Sequence, residues 1–434
     1  MHPAPIFEDA DTFPCIIVAK KVLKEAVIPK RSPVLICPVP RNKLKDINLS
    51  QYVDQEGFSV EWSRFSEQAW SLESPQVDLL MQKIKNRGIP LKEFTGVKPY
   101  RGILTGFNEA FCINEETKNK LIQADPKCAE IIKPYLRGQD IKRWSPEWQN
   151  LWMIFTRRGI DIDAYPEIKK RLNKYRKQLE PCPKNWNKDQ DGQWLGRKSG
   201  FYKWYEIPDS VDYWNLFEQP KIIYQEINTL PSYCIDTDNY FANNKVFLLP
   251  TSDYFLLGCL NSPLGWWIAH RIFPKMMADA VTPRGDLMIN FPVANPRTDI
   301  KLEIEELTTQ LITLTKTNQQ TYRDISDWLK SEQNIDKLGQ KLEKFNQLSQ
   351  EDFIKEIKKR KPKSERALNV TALRAVKEVY NEYTPIINAR QIEAQKLEHR
   401  LSDLVNQAYQ LAPEEIDLMW RTAPPRMPIS APEN

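Results

Sequence analysis

Four stretches of the 434-residue sequence bring cations and aromatic or soft side chains close together. Lys98–Phe107, KPYRGILTGF, offers donors at Lys98, Arg101 and Thr105, with Gly102 and Gly106 placed to let a backbone turn approach a phosphate. Tyr135–Trp144, YLRGQDIKRW, sets Arg137, Lys142 and Arg143 around a turn at Gly138. Trp186–Trp204 alternates Lys188, Arg197, Lys198 and Lys203 with Trp194, Phe201 and Tyr202. Arg271–Asp286 carries Arg271, Lys275 and Arg284 beside Met276 and Met277. Cations for phosphates and planar or polar groups for base edges are what sequence-specific DNA binding requires. Each stretch also has a plainer reading. The first fits a hairpin with routine glycines, the second an Arg137 held by Asp140, and the third an aromatic run that is partly core, since exposed rings need a cover. The run Lys355–Arg366, with seven cations against two acids, suits loose phosphate contact or a solvated linker between helices.

Residues able to do covalent chemistry are sparse. The seven cysteines, Cys15, Cys37, Cys112, Cys128, Cys182, Cys234 and Cys259, stand singly with no Cys-x-x-Cys pair, and His2, His270 and His399 cluster with nothing. That pattern argues against a structural zinc site and for free thiols in a reducing, cytoplasmic setting. Two Glu-x-Lys fragments, Glu167–Lys169 and Glu356–Lys358, have the residue types of a magnesium-dependent nuclease, and the first lies near Asp161 and Asp163. Such fragments are common in charged helices, and the first opens an amphipathic helix after Pro166. No catalytic residue and no metal ligand is therefore assigned. The most membrane-like stretch, Tyr254–Phe273, is interrupted by Asn261, Ser262 and Pro263 and ends in His270 and Arg271, so it reads as buried core. The acidic N-terminus lacks the apolar region of a signal peptide. A net charge of +5 is compatible with a polyanionic partner without requiring one.

The elements that must position these groups point to an α+β fold with a mostly helical C-terminal region. Pro14–Lys21 reads as one strand. In residues 31–95, Ser74-Pro75 predicts a helix start, VDLLMQKIKN continues at helical spacing, and Gly88 is placed to end it. Strands are predicted over Trp152–Thr156, Lys221–Glu226 and Lys245–Leu249, a helix over Ile168–Leu179, and a loop rich in Trp, Tyr, Lys and Arg over Lys184–Phe217. Nine of the 13 tryptophans fall between Trp144 and Trp267, so the excess belongs to this region. Ile300, Ile304, Leu307, Leu311 and Leu314 make a helical stripe that Trp328, Ile335, Leu338, Leu342 and Phe345 continue. A basic break at Lys355–Arg366 precedes a long helix around Asn369–Leu411, which Pro385 should start or kink. The tail with four prolines reads as disordered.

Several blocks, in order, resemble one family. They are ILTGFNEAF, EIIKPYLRGQDIKRW, YPEIKKRLNKYRKQLE, WYEI, PKIIYQEI, FLLGCLNSPLGWW, INFPVANP and, near the C-terminus, EHRLSDLVNQAYQLAPEEIDLM. Together they are similar to the C-terminal part of type IIG restriction-modification enzymes and adenine-specific DNA methyltransferases, with a TaqI-like C-terminal specificity domain. The resemblance implies a target-recognition domain at 96–297 and a helical C-terminal region at 298–420. It also implies a connecting segment at 31–95, an edge of the methyltransferase domain at 1–30, and a tail at 421–434. It further implies that double-stranded DNA is the partner and that loops of this domain select its sequence. An adenine methyltransferase of the family needs a glycine-containing loop for S-adenosylmethionine and an Asn-Pro-Pro-aromatic motif that holds a flipped adenine. The sequence has neither: Asn295-Pro296 is followed by Arg297, and Asp125-Pro126 by no glycine. The expectation is a specificity part that binds no S-adenosylmethionine itself and positions an adenine for a methyltransferase supplied elsewhere. The alternatives are an interaction subunit docking a separately encoded methyltransferase, an inactive remnant, and a binder of single-stranded RNA.

Overall fold

A computed structural model describes residues 15–18, 33–39, 47–65, 70–362 and 367–432. The strand expected at Pro14–Lys21 lies largely outside these residues. Its described part, Cys15–Val18, is exposed and forms no strand. A small two-stranded antiparallel sheet pairs β1 (Val34–Ile36) with β2 (Phe58–Val60).

The helix predicted after Ser74 is α1, Pro75–Arg87. Ser74 Oγ accepts from the Val77 amide, Pro75 occupies the first turn, and Val77, Leu80, Met81 and Ile84 form the buried face. Gly88 follows it for a different reason than capping. Its backbone is extended rather than left-handed, and it opens β3 (Gly88–Pro90), which pairs with β12 (Pro292–Ala294). A Cβ there would lie 2.7 Å from the Pro292 side chain, so the close approach of two strands selects glycine.

Two four-stranded sheets form the middle of the molecule. One has the order β10-β6-β7-β5, built from β5 (Cys112–Asn114), β6 (Ile132–Leu136), β7 (Leu151–Ile154) and β10 (Phe241–Ala242). Within it, β10 runs parallel to β6 and the other pairs are antiparallel. The second has the antiparallel order β4-β11-β8-β9, from β4 (Tyr100–Arg101), β8 (Lys221–Gln225), β9 (Tyr233–Asp236) and β11 (Val246–Leu249). This second sheet is buried on both faces. Ile223, Cys234, Val246 and Leu248 point into a core shared with the first sheet. Ile222, Tyr224, Tyr233, Ile235 and Leu249 point into a core shared with helices. Because successive side chains alternate between faces, a strand buried on both reads as an unbroken apolar run, which is how β8 and β11 look in the sequence.

Helices cover the far face. The membrane-like stretch becomes α3 (Tyr254–Asn261) and α4 (Pro263–Ile272), which follow α2 (Pro166–Asn173) in the chain. Among the described residues no helix is long and apolar enough to cross a membrane. The predicted helix over Ile168–Leu179 stops at Asn173. Lys174 and Tyr175 bond to carbonyls three residues back, and a separate short turn, Arg176–Leu179, then buries Leu179. The first part of the predicted stripe is the buried side of α5 (Thr298–Ser331), where Ile304, Leu307 and Leu311 meet α3 and the last third of a 39-residue helix, α7 (Val370–Ala408). Its expected continuation breaks at the helix end, and Ile335, Leu338, Leu342 and Phe345 enter a separate core. Pro385 lies inside α7 rather than at its start.

The basic run expected as a linker is half helix. Lys355–Arg360 closes α6 (Gln350–Arg360), whose Phe353 and Ile357 are buried and whose last turn carries Lys358, Lys359 and Arg360, the favourable end for cations. Residues 363–366 lie outside the described set. The tail expected to be disordered is tied down after α8 (Pro413–Arg421). Trp266 Nε1 donates to the Arg426 carbonyl at 2.6 Å, Trp267 Nε1 donates to Thr422 Oγ1 at 3.0 Å, and Met427 packs on the helical core.

His270, in the last turn of α4, is buried edge-on against Trp266, and its Nε2 has no hydrogen-bond partner. Burial, with Lys275 and Arg271 adding to it, lowers its pKa from 6.5 to about 4. The folded state therefore binds fewer protons than the unfolded chain between these values. Stability should be intact above about pH 6.5 and fall by about 3 kcal/mol as the pH drops to about 4. Urea denaturation at pH 7.5 and pH 5 checks this, and His270→Leu should flatten that part of the profile.

Candidate nucleic-acid interface

The thirteen candidate residues separate into two classes, those held inside the structure and those facing solvent. Arg197 belongs to the first and is 5% exposed. Its guanidinium donates to five backbone carbonyls. Nε reaches Leu179 at 2.8 Å, one Nη reaches Thr105 at 3.2 Å and Glu206 at 2.9 Å, and the other reaches Trp204 at 2.8 Å and Lys203 at 3.4 Å. Burial pulls its pKa down to about 10, so it stays charged at neutral pH. Arg197 organises the loop that the sequence marked for DNA contact and has no donor left to offer a phosphate. Thr105, 2% exposed, lies in the same assembly and donates to Asn108 Oδ1 at 2.6 Å.

Arg271 is also interior. It stacks 3.6 Å from the Trp267 ring centroid and donates to the carbonyls of Trp267 and Thr422, each at 3.1 Å. Arg143 bridges the sheets to the helical region, donating to Glu398 Oε1 of α7 at 2.6 Å and to the Asn261 carbonyl at 2.8 Å. The indole of Trp144 donates to the same Glu398 oxygen at 2.9 Å. Arg137 is clamped by buried Asp140, with Nε 3.0 Å and Nη 2.9 Å from the two carboxylate oxygens. The hydrogen bond to Asp140 raises the pKa of Arg137. The Asp140 clamp is the pairing that the plainer reading of the YLRGQD turn expected, and the Arg137 side chain stays 37% exposed.

Lys98, Arg101, Lys142, Lys188, Lys198, Lys203, Lys275 and Arg284 are exposed. Three of them, drawn from two distant blocks, line one open groove of about 580 Å³: Lys98, Arg101 and Arg284. Its floor holds Tyr100, Phe247 and Ile289. The register of the second sheet makes the groove. Edge strand β4 pairs Arg101 with Phe247 and Tyr100 with Leu248 of β11, while Gly285 packs against Pro99. Each arginine is held by a carboxylate. Arg101 donates to Glu226 at 2.6 Å and to the Asn244 carbonyl at 2.9 Å. Arg284 makes a two-point contact with Asp286 at 3.0 and 2.6 Å, which lowers the Asp286 pKa. Lys245 shares Glu226 at 2.7 Å. Lys245, Glu226 and Asp286 were missed from the sequence. Asp286 had a visible signal, two residues from Arg284, whereas Glu226 and Lys245 meet only through strand pairing.

The nuclease-like fragments do not assemble. Lys169 bonds Asp163 at 2.5 Å, Lys170 contacts Glu167 at 3.3 Å, and Glu356 is taken by Arg360 at 3.1 Å. Among the described residues no group of three or more His, Cys, Asp or Glu could hold a metal ion.

These placements separate by experiment. Arg197→Met keeps the apolar stem but leaves the carbonyls it served unpaired, so unfolding stability should fall by about 3 kcal/mol, read as a lower urea midpoint. If Arg197 instead touched DNA, the midpoint would hold and binding alone would weaken.

Residues 133–284 match the family model described as a TaqI-like C-terminal specificity domain, and residues 297–405 match a domain of unknown function, DUF8810. A type II methyltransferase, M.MjaIV of Methanocaldococcus jannaschii, is 27% identical over 171 residues, which are 37% of this chain and 53% of that protein. The chain thus spans about half the length of this curated relative. Among solved structures, the type IIL restriction-modification enzyme MmeI in complex with DNA aligns with a TM-score of 0.43 at 14% identity, covering 75% of this chain and 35% of that one. The type IIG restriction endonuclease BpuSI aligns with a TM-score of 0.36 at 12% identity, covering 88% and 40%. Over residues 133–284 the chain is thus similar to TaqI-like C-terminal specificity domains.

Proposed function

We propose that the chain selects a short sequence in double-stranded DNA and presents it to a methyltransferase domain that other residues supply. The observation that carries this reading is the groove in which Lys98, Arg101 and Arg284 converge. Lys98, Lys142 and Lys275 are flexible point charges suited to phosphates, and Arg101 and Arg284 are forks held in place by carboxylates and suited to base edges. The chain itself holds no S-adenosylmethionine on this reading, because its sequence lacks the Asn-Pro-Pro-aromatic motif, and no residue is assigned a catalytic role. The purified chain should transfer no labelled methyl group from S-adenosylmethionine to DNA.

A second reading is favoured by one feature. The far half of α5, α6 and the first half of α7 build a core of their own around Leu329, Ile335, Phe345, Phe353, Ile357 and Val376. A separate core of this kind suits an arm that docks a separately encoded methyltransferase.

Binding to a randomised duplex library at about 150 mM salt, a physiological ionic strength, with the bound DNA sequenced, tests the leading reading. One short motif should be enriched. Arg101→Ala or Arg284→Ala should then cost about 1–3 kcal/mol and relax the preference at a single position. Lys98→Ala should weaken all sequences alike and reduce the salt slope by about one. Salt-sensitive binding with no motif would favour the docking reading or an inactive remnant. Tighter binding to single-stranded RNA at equal salt would replace the DNA reading.

A further inference from the structure

The loop that Arg197 organises ends in a tip with an unusual build. Residues 198–203 read Lys-Ser-Gly-Phe-Tyr-Lys, with no carboxylate among them. Both ends are fastened at the base. The Arg197 amide donates to the Glu180 carbonyl at 2.9 Å, and the Arg197 guanidinium gathers the carbonyls of Lys203, Trp204 and Glu206. Buried Glu206 closes the other side, accepting from the Lys203 amide at 2.8 Å and from the Gly159 amide at 2.9 Å. Within the tip the two rings part. Tyr202 folds under, its ring 4.7 Å from the Arg197 guanidinium and its hydroxyl donating to the Lys198 carbonyl. Gly200 makes room, since a Cβ there would lie 2.5 Å from the Tyr202 ring. Phe201 is thereby turned outward and is 83% exposed. Lys184 stands 4.4 Å from its ring centroid, and Lys198 and Lys203 flank it, all three exposed.

We infer that Phe201 is a wedge that enters the base stack of duplex DNA, with Lys184, Lys198 and Lys203 on the adjoining phosphates. This rests on the proposed DNA reading. A lone exposed ring needs no explanation by itself. Here, however, a buried arginine, a buried glutamate and a glycine hold the ring apex-out, Lys184 stands over it, and residues 198–203 carry two lysines and no carboxylate. An apolar ring with a cationic collar is complementary to a base step between phosphates, where Phe and Leu side chains unstack and kink the duplex. A protein partner would have to present its own acidic rim, and a free hydrophobic patch would lack the collar.

The 434-residue chain is tested on the duplex it enriches from the random library, with 2-aminopurine placed at each adenine in turn. Binding should raise 2-aminopurine fluorescence at one step, reporting unstacking there. Phe201→Ala should abolish the rise and weaken binding roughly tenfold, the range of one lost base–aromatic stack. Phe201→Leu should keep much of the rise. Lys198→Ala should weaken binding and leave the rise in place. Because Phe201 contributes nothing to a core, an unchanged urea midpoint confirms that these variants fold. Wild-type affinity and an unchanged fluorescence rise in Phe201→Ala overturn the wedge while leaving DNA recognition standing. Loss of self-association in Phe201→Ala, with DNA binding untouched, would assign the ring to a second copy and also overturns it. Absence of any DNA binding by the wild-type chain removes both readings.

Discussion

Burial of one sheet on both faces is the constraint from which the rest of the structure follows. With β8 and β11 apolar on either side, a charged side chain in that sheet must be matched. Lys221, the first residue of β8, is matched by Asp236, the last of β9, 2.5 Å apart and both nearly inaccessible. Burial lowers the lysine pKa and raises that of the aspartate, and the pair survives because its remaining valences are filled. Lys221 also donates to the Phe217 carbonyl, and Asp236 accepts from the amides of Asp238 and Tyr240. Removing either partner would strand a buried charge, at a cost of about 3–5 kcal/mol. The exposed cations are consequently displaced to the sheet edge and to loops. Edge strand β4, two residues long and bearing Arg101, is where the groove forms.

The helical region is joined to the sheets by the shared apolar core and by directional polar contacts. Glu398 of α7 receives both Arg143 and the Trp144 indole, Gln319 of α5 donates to the Ser145 carbonyl at 3.1 Å, and Asn261 exchanges two hydrogen bonds with the backbone of Tyr233. Trp144 adopts a left-handed backbone, with φ at 73°, to place its ring between the two regions. A non-glycine residue in that conformation is strained and persists because its surroundings fix it. The segment carrying Lys142 is thus anchored to the same helix that reaches into the distal core of the C-terminal arm.

What the sequence made legible was local. Ser74-Pro75, the apolar run of β8, the stripe of α5 and the Arg137–Asp140 pair all depend on neighbours within a few residues, so their spacing alone announces them. The interior role of Arg197 could not be read that way. An arginine set among aromatic residues has the same appearance whether it faces DNA or collects carbonyls, and the deciding partners, Thr105 and Leu179, come from other segments. The groove was legible in its parts and illegible as a unit, because strand register and the packing of Gly285 on Pro99 bring its walls together. The tail failed for a related reason. Its prolines predict disorder, but the indoles of Trp266 and Trp267 supply the partners that hold it.

The same physics separates the roles of the exposed cations. A carboxylate beside an arginine repels phosphate, so Glu226 and Asp286 would make Arg101 and Arg284 poor backbone clamps. What the carboxylates do provide is orientation: each guanidinium has some donors fixed and presents the remainder in a defined direction. Directed donors discriminate between base edges, whereas mobile lysines register only charge. On the proposed DNA reading, a specificity domain needs both kinds of group, and the structure has carboxylate-held arginines in the groove with Lys98 beside them, and exposed lysines elsewhere at Lys142, Lys198 and Lys275. Pairing of each arginine with a carboxylate would then weaken the forks' non-specific attraction where sequence is read, leaving affinity to the lysines and selectivity to the two forks.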